Sequence, residues 1–262
     1  MNTLFVPRPV VLTHRHADIE MVCLESIDDE AMVDVEMGCL DEMPPRPACA
    51  NAETLRALQT RMRVVSTEQM LAASYYTQDF EKWVEYVWTI VDLCKFNEQV
   101  GHVAVRTFGV YMSTCALLPW PMLKWERYAS FWIAIKLEQC DSDIAFSVDS
   151  FLEAMLGTNS PLNSERVAMY RAELKVLRAN NFSMSFPTTA DFADVLLDGL
   201  GSTSTARTTV FKMLRGLTHQ KIYVTRDPLL IATVCVHHTH REHATALVNS
   251  TGISLATIHA CE

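Results

Sequence analysis

The stretch FWIAIKLEQ (131–139) places stronger limits on this chain than any other. Phe131, Trp132, Ile133, Ala134 and Ile135 run without interruption into Lys136, and Leu137 follows. A helix that is apolar almost all round belongs in the middle of a domain. A lysine inside such a helix must snorkel to the rim or meet a carboxylate, because an unpaired buried ammonium costs several kcal/mol. The stretch therefore predicts a central helix with a charged exit at Lys136.

The flanking sequence supplies helices to surround it. Leu55, Leu58 and Met62 recur at three- and four-residue spacing after Asn51, a candidate cap. Trp83, Val84, Val87, Trp88, Val91 and Cys94 make one apolar face, and GHVAVRTFGVYMSTCALL (101–118) reads as a helix of wide apolar coverage. SVDSFLEAML (147–156) and NSERVAMYRAELKVLRA (163–179) follow, the latter capped by Asn163 or Ser164. With only 8 glycines in 262 residues, helix is favoured over sheet. Helical stretches then resume at 186–200, 204–218 and 227–241 and continue to the end. The organisation expected is an acidic, mostly disordered tail (1–50), an N-terminal helix with a five-helix bundle (51–186), and a second, shortened helical unit (187–262).

Net charge is −9, from 31 acidic against 22 basic side chains, which argues against a broad nucleic-acid footprint. Ten of the carboxylates lie between Asp18 and Glu42. The eight cysteines contain no CxxC pair and read as reduced thiols of an intracellular protein, expected in nucleus and cytoplasm. No run reaches the ~18 apolar residues of a membrane span, and the broken apolar start does not read as a signal peptide.

Two other constellations carry less. CVHHTHREH (235–243) sets His240 and His243 at i, i+3, but without HExxH or an obvious acidic ligand it reads as a solvated helix end. GLGSTSTART (199–208) lacks the lysine of a phosphate loop and reads as a helix stop followed by a capped restart. Neither implies a metal, a cofactor or catalysis, so no enzymatic activity is expected.

Two stretches together carry a resemblance. YASFWIAIKLEQ (128–139) and AELKVLRANNFSMSFPT (172–188) are similar to the cyclin family: Ala134-Ile135-Lys136-Leu137-Glu138-Gln139 to its Ala-x-Lys-x-Glu-Glu helix end, and Glu173, Val176, Leu177, Phe182, Pro187 and Thr188 to its later motif. HVAV (102–105) and Trp88 extend it, so that the first cyclin box is matched over roughly 79–188. The resemblance implies an all-α cyclin fold, with a five-helix first box around a central helix and a shortened second box. It also implies a regulatory subunit that binds and activates a cyclin-dependent serine/threonine kinase, in cell-cycle control, with no nucleic acid or membrane partner. It assigns kinase contact to Lys136 and Glu173 as a pair, with Phe182, Leu177 and Leu55. Trp88 and Lys82 fall on the family's substrate-docking surface, although Glu81 and Glu85 replace the apolar residues beside it.

The family's internal arginine–aspartate pair falls on Lys82 and Gly109 and is missing. In the tail, Met21, Cys23 and Glu25 of MVCLE approximate the segment with which D-type cyclins hold retinoblastoma-type pocket proteins. Failure of the tail peptide to bind a pocket protein would end that idea. The alternative is a cyclin-fold adaptor acting in transcription without a kinase, which a gel shift and a kinase pulldown would separate.

Overall fold

The computed structural model describes residues 48–61, 78–114, 120–138, 147–182, 184 and 187–261. Met21, Cys23 and Glu25 lie outside them. The described residues hold twelve α-helices and no strand, and none of these helices is long and apolar enough to cross a membrane. The chain is all-α.

Five helices build the first bundle: α1 stands apart from it at Ala48–Arg61, and α2 (Gln78–Leu93), α3 (Gln99–Thr114), α4 (Lys124–Glu138), α5 (Val148–Leu156) and α6 (Asn163–Ala179) enclose its core. Of the apolar face read for α2, Trp83, Val84, Val87, Trp88 and Val91 are buried, joined by Phe80, while Cys94 lies past the helix end and is half-buried; Glu81, Lys82 and Glu85 are exposed. Helix α4 packs closely on both α3 and α6.

The most enclosed helix is α3, not α4. Every residue from 101 to 113 is buried, including His102, Arg106, Thr107 and Ser113. Those polar residues dilute its apolar pattern, so the sequence understates its burial. Helix α4 is buried from Ala129 to Ile135 and then opens to solvent at Lys136.

The second core is formed by α7 (Thr189–Gly199), α8 (Ser204–Leu217), α10 (Pro228–Thr239) and α11 (Ala244–Thr251). The one-turn helices α9 (Lys221–Thr225) and α12 (Leu255–His259) complete the chain order, and α9 was not anticipated from periodicity. Five residues are too few to show a period.

Each core borrows from the other's stretch of chain. Leu55 of α1 is 2% exposed and lies among Phe192, Leu196 and Leu197 in the second core. Tyr223 and Val224 of α9 lie in the first. The seam between them is polar and closely fitted. Trp88 Nε1 donates to Thr218 Oγ1 at 2.8 Å, and Arg215 of α8 makes two hydrogen bonds to Asp92 of α2 at 3.0 and 2.6 Å. At the head of α7, Thr188 Oγ1 accepts from Asp191 N and Thr188 N donates to Asp191 Oδ2, the reciprocal arrangement of a capping box. Gln99, the first residue of α3, donates to both Thr188 Oγ1 and Asp191 Oδ1. The chain therefore turns from one bundle into the next on a cap that the first bundle holds.

Two expected caps are corrected. Helix α1 starts at Ala48, so Asn51 lies inside it. Helix α6 is preceded by Leu162 rather than capped by Asn163 or Ser164, and Glu165 reaches back to accept from Leu162 N at 2.8 Å. The GLGSTSTART reading stands: α7 stops before Gly201 (φ +61°), and Thr203 Oγ1 accepts from Ala206 N to start α8.

Candidate functional site

Lys136 emerges in the last turn of α4, one residue beyond the buried Ile135. Its ammonium donates to Glu173 Oε1 of α6, across 37 residues of chain, and lies 5.7 Å from the centre of the Trp132 ring one turn back. The lysine side chain is 43% exposed and the glutamate 14%. The apolar run thus delivers a cation to a carboxylate at the edge of the bundle. Lys136 retains two ammonium hydrogens and Glu173 its remaining lone pairs for a further contact.

A second pair binds the same two helices with reversed polarity. Lys175 of α6 donates to Glu126 Oε1 of α4 at 3.0 Å, and the Glu126 side chain is 5% exposed. Residues two apart on a helix stand about 200° apart around it. Glu173 and Lys175 therefore hold α6 from opposite flanks, which fixes its roll on α4. A third clamp comes from α5: Arg166 Nε and Nη2 donate to Asp149 Oδ1 and Oδ2 at 2.6 and 3.1 Å.

That roll decides what α6 presents. Met169, Ala172 and Val176 are buried on its inner side. On its outer side Val167, Tyr170 and Leu174 are 38%, 53% and 41% exposed at i, i+3, i+7 spacing. The helix ends in a tight return in which Phe182 N donates to Leu177 O at 2.7 Å. Asn181 and Phe182 both have positive φ, +52° and +55°, a conformation that costs a bulky side chain of order 1–2 kcal/mol. Phe182 is nevertheless 62% exposed. Burial does not compensate that strain.

Of the residues singled out from sequence, Lys136 and Glu173 meet, Leu177 is half-buried against the first core, and Phe182 stands exposed beyond it. Leu55 is corrected: it fills the second core and presents nothing to a partner. Trp88 is corrected likewise. It is 2% exposed, wedged between the Arg215 guanidinium at 4.6 Å and the His102 ring at 5.1 Å, and so cannot serve as a docking surface. Lys82 is exposed and, among the described residues, in no ion pair.

The histidine cluster is a solvated helix end only in part: His238 and His243 are exposed, but His237 and His240 are not. His237 is 3% exposed against the His259 ring, and His240 is 6% exposed. Both nitrogens of His240 are engaged, Nε2 with Ser202 Oγ at 2.9 Å and Nδ1 with Thr239 Oγ1 at 2.8 Å. His240 is thus committed to tying α10 to the turn after α7. Among the described residues no group of three or more His, Cys, Asp or Glu side chains is arranged to hold a metal ion. Burial pushes the Cys235 thiol up to about 12, which leaves it unreactive.

Sequence reasoning missed Glu126, Lys175 and the outer face of α6. The spacing of Val167, Tyr170 and Leu174 was readable, but the opposite face is apolar as well, and the pattern does not say which of the two is covered. No known family model matches the chain, and no curated protein matches it.

Proposed function

We propose that this chain is a cyclin-like regulatory subunit that binds and activates a cyclin-dependent serine/threonine kinase, in control of cell division. The observation that carries the reading is the Lys136–Glu173 pair, held at an exposed edge beside the uncovered apolar stripe of α6. An ion pair at the rim of an apolar patch satisfies itself when free and still has donors and acceptors for a partner's backbone. Phe182 stands strained and exposed in the return just past the same helix.

A subunit of this kind needs no chemistry of its own. Kinase activity requires a mobile helix to bring its glutamate to the catalytic lysine. A partner that binds only that inward arrangement shifts the population toward it. The test is copurification of the full chain with each of a panel of purified cyclin-dependent kinases, followed by phosphorylation of a peptide substrate. Lys136→Ala and Glu173→Ala should each abolish binding and activation while far-UV circular dichroism stays helical. Retained binding in both variants would refute the site, and no stimulation of any kinase in the panel would refute the function.

A further inference from the structure

The two flanks of the α6 stripe are electrostatically unlike. On one flank every charge meets its opposite, as Lys136 with Glu173 and Arg166 with Asp149. On the other flank stand three cations, Arg171, Lys175 and Arg178, within about 60° of helix circumference. Lys175 is paired with Glu126, whereas Arg171 and Arg178, both exposed, are in no ion pair among the described residues. In a chain of net charge −9, two guanidiniums without an ion-pair partner among the described residues border the apolar, uncovered face of α6.

We infer that the outer face of α6 receives an amphipathic helix of the partner that carries two carboxylates, two turns apart, along the edge facing Arg171 and Arg178. This rests on reading the face as the partner surface and names the chemistry that the partner must bring. The apolar ridge of Val167, Tyr170 and Leu174 repeats at helical spacing and suits a second helix laid against it. Among the described residues there is no strand, so an extended segment finds no sheet edge to join there. Arg171 and Arg178 are seven residues apart, about 10 Å along the axis, which is the separation of i and i+7 on a helix alongside. Covering the ridge brings both guanidiniums to the rim of the interface. A carboxylate there accepts two parallel hydrogen bonds from each, while a basic edge is repelled.

The experiment uses two synthetic amphipathic helical peptides with the same apolar face. One carries glutamate at both edge positions and the other lysine. Binding to the full chain is followed by fluorescence anisotropy at low and high salt. The glutamate peptide should bind about two- to thirtyfold tighter, the range two exposed ion pairs allow, with the advantage shrinking in salt. Net charge alone favours the lysine peptide, so the preference cannot come from bulk electrostatics. The double variant Arg171→Glu, Arg178→Glu should reverse the preference. Tyr170→Ala with Leu174→Ala should weaken both peptides alike. Equal affinities, preference for lysine, or binding of neither peptide overturns the inference. If the peptide preference holds but no kinase binds, the kinase reading alone falls. If a kinase binds and ignores the double reversal, this inference alone falls.

Discussion

Gly101→Ala should destabilise the protein, although helix propensity taken alone predicts the opposite sign. Gly101 lies in the first turn of the fully enclosed helix α3, where alanine for glycine is worth about 1 kcal/mol in favour of the helix. A Cβ at this position would stand 2.6, 2.6 and 2.8 Å from three carbons of the Trp88 ring, well inside the roughly 3.5–4.0 Å of an ordinary carbon contact. The indole has nowhere to go. Its nitrogen is bonded to Thr218 at 2.8 Å, Arg215 covers one face and His102 meets its edge. Moving it forfeits a buried hydrogen bond, about 1–3 kcal/mol, and a cation–π contact, about 0.5–1 kcal/mol, with overpacking adding roughly 1–3 kcal/mol. The net loss after the propensity gain is roughly 1.5–6 kcal/mol, or a Tm lower by roughly 3–24 °C at this size. Urea and thermal unfolding, followed by circular dichroism and indole fluorescence, measure it. Trp88→Phe should restore part of the loss in the double variant, a coupling of at least about 1 kcal/mol. An unchanged or raised Tm in Gly101→Ala would refute the account of the Trp88 seat and of the seam it forms with α8.

Four further expectations follow from the same contacts. Burial lowers the His102 imidazole from its ordinary 6.5 to about 3, while Nδ1 meets Tyr223 Oη at 2.7 Å. The unfolded chain binds this proton first, so stability is full above pH 6.5 and falls as pH drops toward 3; His102→Leu should remove about 2 kcal/mol of the loss between pH 7 and pH 5 in urea titrations. Thr188→Ala should cost about 1–2 kcal/mol by removing the α7 cap that also receives Gln99, read as a lower urea midpoint. Lys175→Met should lower stability by about 1–3 kcal/mol because Glu126 stays buried without its cation, and Glu126→Leu added to it should recover stability. Phe182→Gly should leave the fold as stable or raise it by up to about 1–2 kcal/mol through relief of a positive φ, yet weaken kinase binding; lower thermal stability would contradict the strain argument.

Periodicity made much of the local architecture readable. The apolar face of α2, the burial of Phe131 to Ile135, the charged exit at Lys136 and the restart after GLGS all follow from residue order, because a helix exposes or buries residues at a fixed angular step. Composition, poor in glycine and patterned for helix, was enough for the all-α class. Tertiary structure decided the rest. Lys136 and Glu173 meet across 37 residues, α1 fills the second core through Leu55, and Tyr223 fills the first. Trp88 turned out to be sealed by α8, and α3 to be enclosed despite its histidine, arginine and threonine. An apolar stripe states that something must cover it but not which neighbour will, since hydrophobic attraction has no direction. Both faces of α6 carry such a stripe, and it took two opposed ion pairs, each joining residues distant in the chain, to turn one inward and leave the other exposed.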